Sequence, residues 1–234
     1  MAIRGILFDK DGTLLDYHQT WMPVNRAVAS QLANGDPALT ESLLVAGGYD
    51  PVCDRVASGA LLAAGNNLEI ATAWYGLVEE TWPDFEALLA VVDNGFAELC
   101  VGTTTPVTDL EPFVGDLKTR GLKLGIATAD SEAGIHASLG PFGILDQFDF
   151  LSGYDSGYEP KPGPGQVFGF MEKTGLHNHE VMMVGDNLHD LHMGRSANAG
   201  SVVGVLTGTS AREDLLDHAD HVLADVTEIV ALLA

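Results

Sequence analysis

Two carboxylates stand two residues apart in Asp9-Lys10-Asp11-Gly12-Thr13, directly after the apolar run Ile6-Leu7-Phe8. Side chains alternate along a strand, so residues i and i+2 point the same way, with Cα atoms roughly 6.6 Å apart. Asp9 and Asp11 therefore share one face at the end of a buried strand, an arrangement suited to catalysis before it is suited to structure. Gly12 permits a sharp exit from the strand, and Thr13 offers a hydroxyl and a backbone N–H to an anion. The plain alternative is an acidic strand-end turn, since Asp-Gly is among the commonest turn dipeptides. The rest of the chain decides between the two.

Three further groups sit at the ends of apolar runs. Thr128 closes Leu124-Gly125-Ile126-Ala127, and Ala129-Asp130-Ser131 after it reads as a helix start whose N–H groups suit an anion, or as a simple cap. Lys161, in Glu159-Pro160-Lys161-Pro162-Gly163-Pro164, is a cation on a loop stiffened by prolines; by itself it reads as an exposed loop lysine. Gly185-Asp186-Asn187-Leu188-His189-Asp190 follows Val181-Met182-Met183-Val184, with Asp190 one helical turn beyond Asp186 on the same face. Capping explains Asp186 poorly, because a second acid at that spacing adds like charge. Two unit charges 4 Å apart interact by about 4 kcal/mol at an effective dielectric of 20, so gathering three or four carboxylates calls for a divalent cation. Oxygen ligands without a supporting His or Cys set favour Mg²⁺ over zinc or copper.

The elements that must position these groups are legible as a pattern. Strand-like runs recur at 6–8, 123–127, 148–152, 181–184 and 201–206, separated by helical segments, which predicts a parallel sheet covered on both faces. The segment 109–120 carries Leu110, Phe113, Val114 and Leu117 at helical spacing with Gly121 as a stop, and so predicts a crossover helix. The candidate residues then fall at carboxyl ends of strands, where open parallel sheets bind ligands. Between the first strand and that helix, residues 16–102 show no convincing strand, and the stretches 21–33, 38–46, 55–64, 69–78 and 84–99 look helical. A loop of that length in a compact domain is implausible, so an all-helical inserted domain is expected.

With 234 residues and 46% hydrophobic content, the chain can bury one sizeable core and a smaller second one. Its 11 Lys and Arg against 33 Asp and Glu give a net charge of −22, which argues against nucleic acid or an anionic membrane as partner. An anion site must then be locally positive, and every basic residue matters. Cys53 and Cys100 match no metal or redox spacing and read as small buried hydrophobes. The N-terminus enters a strand at once without a signal-peptide pattern, and nothing reaches the ~18 apolar residues of a membrane span, so a cytoplasmic protein is expected.

Taken in order, DxDGT at 9–13, the strand-end Thr128, Lys161 beside its prolines and GDxxxD at 185–190 resemble the haloacid dehalogenase-like (HAD) hydrolase superfamily over nearly the whole chain. The position of the insertion and the stretch Gly204-Val205-Leu206-Thr207-Gly208 are similar to its phosphoglycolate phosphatase-like branch. The resemblance implies a Rossmann-like α/β core, 1–15 and 103–234, with a helical cap, 16–102. It implies Asp9 as the nucleophile that forms an aspartyl-phosphate, and Asp11 as the acid that protonates the leaving oxygen and then activates water. It further implies Thr128, Gly12, Ala129 and Lys161 around the phosphoryl group, Mg²⁺ on Asp9, Asp186 and the backbone carbonyl of Asp11, and Asn187 and Asp190 behind them, Asp190 acting through Lys161. Ala129 stands where many relatives carry Asn, and an acid at Asp11 argues against carbon–halogen cleavage.

Specificity must then come from the cap. Tyr17, His18 and Trp21 follow the nucleophile loop and face either the cleft or the core. Arg26 and Arg55 are the cap's two cations, and either, Arg55 above all, is a candidate for a substrate carboxylate, with a solvated arginine as the alternative. His177, His179, His189 and His192 look structural, with His189 facing away from Asp186 and Asp190. The expected activity is a Mg²⁺-dependent phosphatase of a small phosphorylated metabolite, in a monomer or homodimer. A phosphotransferase or mutase acting on a sugar phosphate is the alternative in the same family, and a non-catalytic phosphate-binding module the alternative outside it.

Overall fold

The computed structural model describes residues 2–82, 84–100 and 102–233, without the side chain of Cys100. The strands are β1 (Gly5–Phe8), β2 (Tyr49–Asp50), β3 (Arg55–Val56), β4 (Lys123–Ala127), β5 (Phe150–Ser152), β6 (Val181–Gly185), β7 (Ser201–Val205) and β8 (His221–Leu223). The helices are α1 (Tyr17–Leu32), α2 (Pro37–Ala46), α3 (Leu61–Ala64), α4 (Asn67–Val78), α5 (Phe85–Cys100), α6 (Leu110–Thr119), α7 (Glu132–Leu139), α8 (Gly165–Thr174), α9 (Leu188–Ser196) and α10 (Arg212–Leu215).

Six strands form one parallel sheet in the order β5-β4-β1-β6-β7-β8, so the expected Rossmann-like core is present. Every residue of β1 is buried, as a central strand covered on both faces requires. Its side chains divide by parity: Ile6 and Phe8 join Leu124, Ile126, Met182 and Val184 in one cluster, while Leu7 joins Ala127, Val181 and Met183 in the other. Val114 and Leu117 of α6 and Ile135 of α7 complete the first cluster, and Phe170 of α8 and Met193 of α9 the second. Because β1 lies between β4 and β6, the chain changes direction across the sheet at its centre. The crevice such a reversal opens lies at the carboxyl ends of these three strands, directly above Asp9.

Residues 17–100 carry a separate apolar cluster in which Trp74, Leu88 and Val92 are fully buried and the Trp74 indole donates to Leu43 O at 2.7 Å. The two passages between this layer and the sheet run side by side: Leu15 bridges Pro106, Asp16 N donates to Thr105 O at 2.8 Å, and Val107 N to Leu14 O at 3.0 Å. A second tie is the 2.8 Å hydrogen bond between Ser58 and Ser210.

Four expectations need correction. The inserted layer is not all-helical: β2 and β3 pair antiparallel, Tyr49 opposite Val56, which is too short a hairpin to leave a period-two pattern. For the same reason 55–64 is not one helix; Gly59 at φ +69° breaks it, and only α3 is helical. The edge strand β8, three residues long and only half-buried, escaped notice. Cys53 is exposed at the hairpin tip and is not a core residue.

Truncating the indole at the centre of the inserted layer by Trp74→Ala should lower unfolding stability by about 3–5 kcal/mol, read by urea denaturation. A loss below about 1 kcal/mol would mean that the layer does not depend on this core.

Candidate active site

The backbone leaves β1 through a ladder bond, Asp9 N to Val184 O at 2.8 Å, and turns away at Gly12, whose φ is +86°. A Cβ on Gly12 would lie 2.5 Å from Asp186 Cγ, so glycine is needed both for the turn and for the approach of the two acids. Asp9, Asp186 and Asp190 are all buried, with carboxylate oxygens within 4.8 Å of one another. Asp186 Oδ2 accepts from Thr209 N at 3.0 Å, and a Cβ on Gly208 would come within 1.8 Å of that same oxygen. Thr207 Oγ1 donates to Gly12 O at 2.6 Å, so the loop after β7 closes over the acids. This role of Thr207, Gly208 and Thr209 was not read from the sequence, although Gly204 to Gly208 drew notice there.

Lys161 reaches the cluster from the loop after β5. Its Nζ lies 2.5 Å from Asp9 Oδ1 and 2.6 Å from Asp190 Oδ1. Asp190 Oδ2 accepts from Asn187 N at 3.0 Å, so both of its oxygens are engaged, one by Asn187 and the other by Lys161. Asn187 caps α9 by accepting from His189 N at 3.2 Å, and its Nδ2 is buried without a partner among the described residues.

Thr128 is 2% exposed, and its Oγ1 accepts from Asp130 N at 3.1 Å. The helix start beyond it is not a row of free donors. Ser131 N bonds Asp130 Oδ1, Glu132 N bonds Asp155 Oδ1, and Gly134 N bonds Ser131 Oγ. Protein acceptors thus occupy most of the N–H groups that an anion was expected to use. Ala129 lines the cleft beside Thr128.

The largest omission at the sequence level is Lys10. Its side chain is fully buried, 2.8 Å from Asp11 Oδ2 and 2.9 Å from Asp130 Oδ2, with Nζ 5.1 Å from the centre of the Trp21 ring. Trp21 Nε1 donates to Asp11 Oδ1 at 2.5 Å, so both oxygens of Asp11 are held. A lysine inside an acidic motif, in a chain with 11 basic residues, was a signal available and unused.

Asp9, Asp11, Thr128, Lys161, Asp186, Asn187 and Asp190 all line one cleft, of about 640 Å³ counting the part open to solvent. Tyr17 and Trp21 also line it, and both pack on the apolar cluster of the inserted layer as well, so each serves cleft and core together. His189 lines it too and does not face away. His18 and Arg55 border a different surface pocket with Arg26 and Asp54, so the arrangement does not bring Arg55 to the acids.

The electrostatics follow from burial. Desolvation pushes Asp9 up to about 6 against the pull of Lys161, and pushes Asp11 up to about 6 against that of Lys10. Asp186 is raised well above the carboxylate range by desolvation and then by Asp9 and Asp190. Burial disfavours the Lys161 and Lys10 charges, yet Asp190 with Asp9, and Asp11 with Asp130, outweigh it and raise both. The donor set fits a hard divalent cation: three crowded acids, oxygen ligands, and an excess of buried negative charge that two lysines leave uncompensated.

A parallel sheet that gathers acids, a hydroxyl and a lysine at the carboxyl end of its central strands defines a Rossmann-like hydrolase. The haloacid dehalogenase-like hydrolase family matches residues 3–198. The phosphoglycolate phosphatase of Pectobacterium atrosepticum is 27% identical over 233 residues, covering 99% of this chain and 93% of that protein. The N-acetylmuramic acid 6-phosphate phosphatase of Pseudomonas aeruginosa is 24% identical over 197 residues, covering 84% and 79%. The crystal structure of a predicted phosphoglycolate phosphatase from Haemophilus somnus superposes with a TM-score of 0.76 at 19% identity, covering 99% and 98%. The chain belongs to the haloacid dehalogenase-like hydrolase family, is similar over its length to phosphoglycolate phosphatases, and is a phosphoric monoester hydrolase.

Two measurements follow. Lys10→Met leaves Asp11 and Asp130 as unpaired buried acids and should cost about 3–5 kcal/mol in denaturant unfolding. Acids whose folded pKa lies above the unfolded value, near 4, bind more protons when folded. Their stabilising contribution is complete below about pH 4 and lost as pH rises through about 6, so with divalent cations chelated Tm should fall from pH 5 to pH 7. Asp186→Asn should flatten that fall, and an unchanged slope would rule out the site as its source.

Proposed function

We propose that the protein is a Mg²⁺-dependent phosphatase of a small phosphorylated metabolite, working through an aspartyl-phosphate on Asp9. The observation that carries this reading is the bridge of Lys161 between Asp9 and Asp190, with Asp186 in the same buried cluster and Asp11 on the same cleft. A carboxylate held against an ammonium group is kept ionised and aimed, as a nucleophile toward phosphorus must be. Asp9 attacks in line, and Lys161 offsets the charge of both the carboxylate and the transferring oxygens. Asp11, fixed through Trp21 and Lys10, donates a proton to the leaving oxygen and takes one from the water that hydrolyses the acyl phosphate. Thr128, Gly12 and Ala129 surround the phosphoryl oxygens, Thr128 and Ala129 lining the cleft itself.

Asp9, Asp186 and the Asp11 backbone carbonyl would hold Mg²⁺. Bound there, the ion would supply charge compensation for phosphate and for the acids whose charge desolvation disfavours. Asp190 supports Lys161, and Asn187 supports Asp190 through its N–H. Residues 16–102 serve as the cap over a core of 1–15 and 103–234, placing Tyr17 and Trp21 above the reacting group. No helix among the described residues is long and apolar enough to cross a membrane. A cytoplasmic monomer or homodimer, with no nucleic-acid partner at a charge of −22, completes the proposal.

Phosphate release from small phosphate esters, measured with Mg²⁺ and again after chelation, tests it. Asp9→Asn should reduce release to background, and Asp11→Asn should lower kcat by about 10²–10⁴-fold. Release that survives Asp9→Asn would falsify the covalent route.

A further inference from the structure

We propose that the group esterified to the phosphate is a small uncharged alcohol, a short polyol or a sugar, with one hydroxyl recognised by Asn25. The inference rests on the phosphatase reading above and deepens it. On the cap side the cleft is lined by Tyr17, Trp21, Asn25, Leu62, Ile70 and Phe96, with Asn67 at the edge and no Lys or Arg among the described lining residues of that wall. The two arginines that might have met a substrate carboxylate lie elsewhere. Arg26 is ion-paired with Asp54 and donates to the Tyr49 hydroxyl at 2.9 Å, and Arg55 borders the same outlying pocket.

The cations that do reach the site are already committed: Lys161 to Asp9 and Asp190, Lys10 to Asp11 and Asp130. With Asp186, five carboxylates thus face two ammonium groups, so even a bound divalent cation leaves the cleft formally negative before phosphate arrives. Burial and the nearby Lys161 disfavour a positive charge on His189, which lines the cleft. The start of α4 borders the same wall, and a capping box takes up two N–H groups there. Asn66 Oδ1 accepts from Glu69 N at 3.0 Å, and Glu69 Oε2 accepts from Asn66 N at 2.9 Å, which brings a further carboxylate to the spot. A second anionic group on the substrate would therefore lose its water without gaining a counter-ion.

A hydroxyl meets no such obstacle. Asn25 is 2% exposed, and its Nδ2 is buried without a hydrogen bond of normal geometry among the described residues, although it lies close enough to the Tyr17 phenol to affect it. The Tyr17 hydroxyl itself donates to Leu62 O at 2.7 Å. An unpartnered amide donor beside an aromatic and aliphatic wall suits a neutral oxygen attached to carbon. One neutral donor does not replace a cation for a carboxylate.

A matched pair of esters tests the proposal: 2-hydroxyethyl phosphate and 2-phosphoglycolate, which differ by a hydroxymethyl group against a carboxylate, with p-nitrophenyl phosphate as a general substrate and Mg²⁺ throughout. The expected result is kcat/KM at least about tenfold higher for the neutral ester, equivalent to about 1.4 kcal/mol. Asn25→Leu should raise KM for the neutral ester several-fold, and Asn25→Lys should shift the preference toward phosphoglycolate. Equal turnover of the pair, a preference for phosphoglycolate, or turnover of the aryl ester alone overturns the inference while leaving the phosphatase reading intact. An unchanged KM in Asn25→Leu overturns the role of Asn25. Failure to release phosphate from all three esters overturns the phosphatase reading itself.

Discussion

Buried negative charge is the constraint on which the site is built. Five carboxylates meet at the end of one sheet, where removal from water raises Asp9, Asp11 and Asp186 above their ordinary pKa values. Such crowding stands only if positive charge is delivered to it, because an unpaired buried charge costs several kcal/mol. Two lysines deliver it, each shared between two acids. Lys161 spans Asp9 and Asp190, and Lys10 spans Asp11 and Asp130. The balance still falls short, and that shortfall suits the acid cluster to a divalent cation.

The two lysine bridges divide the labour between the acids of the first motif. The Lys161 bridge opposes the effect of burial on Asp9 and fixes one of its oxygens. The Lys10 bridge, together with the Trp21 indole, holds Asp11 by both oxygens and connects it to the first helix of the cap. The orientation of Asp11, to which the proposal gives the proton transfer, thus depends on Trp21 of the inserted layer. The sheet makes this possible because β1 lies between β4 and β6, which carries Asp9, Thr128 and Asp186 to one crevice from far apart in the chain.

Much of this was legible before any coordinates. The strand ends Asp9, Thr128 and Asp186, the ordered motifs and the helical insertion can be read directly, since each rests on local periodicity or on spacing within a few residues. The errors share a physical cause. The β2–β3 hairpin and β8 are too short to set up a period, and the break at Gly59 depends on a positive φ that composition does not announce. His189 sits on a helix whose outward face could not be told from its inward one by spacing alone.

Residue type and order by themselves marked the candidate residues: an acid pair after a buried strand, a strand-end threonine, a loop lysine and a second acid pair, whose order resembles the haloacid dehalogenase-like hydrolases and through that resemblance implies phosphoryl transfer. What the tertiary structure decided was which charges meet. Pairing Lys10 with Asp130, placing Thr209 on Asp186, sending Arg26 to Asp54 and bringing Asn25 unpartnered to the cleft are contacts between residues remote in sequence or on different faces of one element. Electrostatic energies depend on distance and burial, and neither is a property of sequence order. The candidate residues are therefore written in the motifs, and the contacts among them are written in the packing.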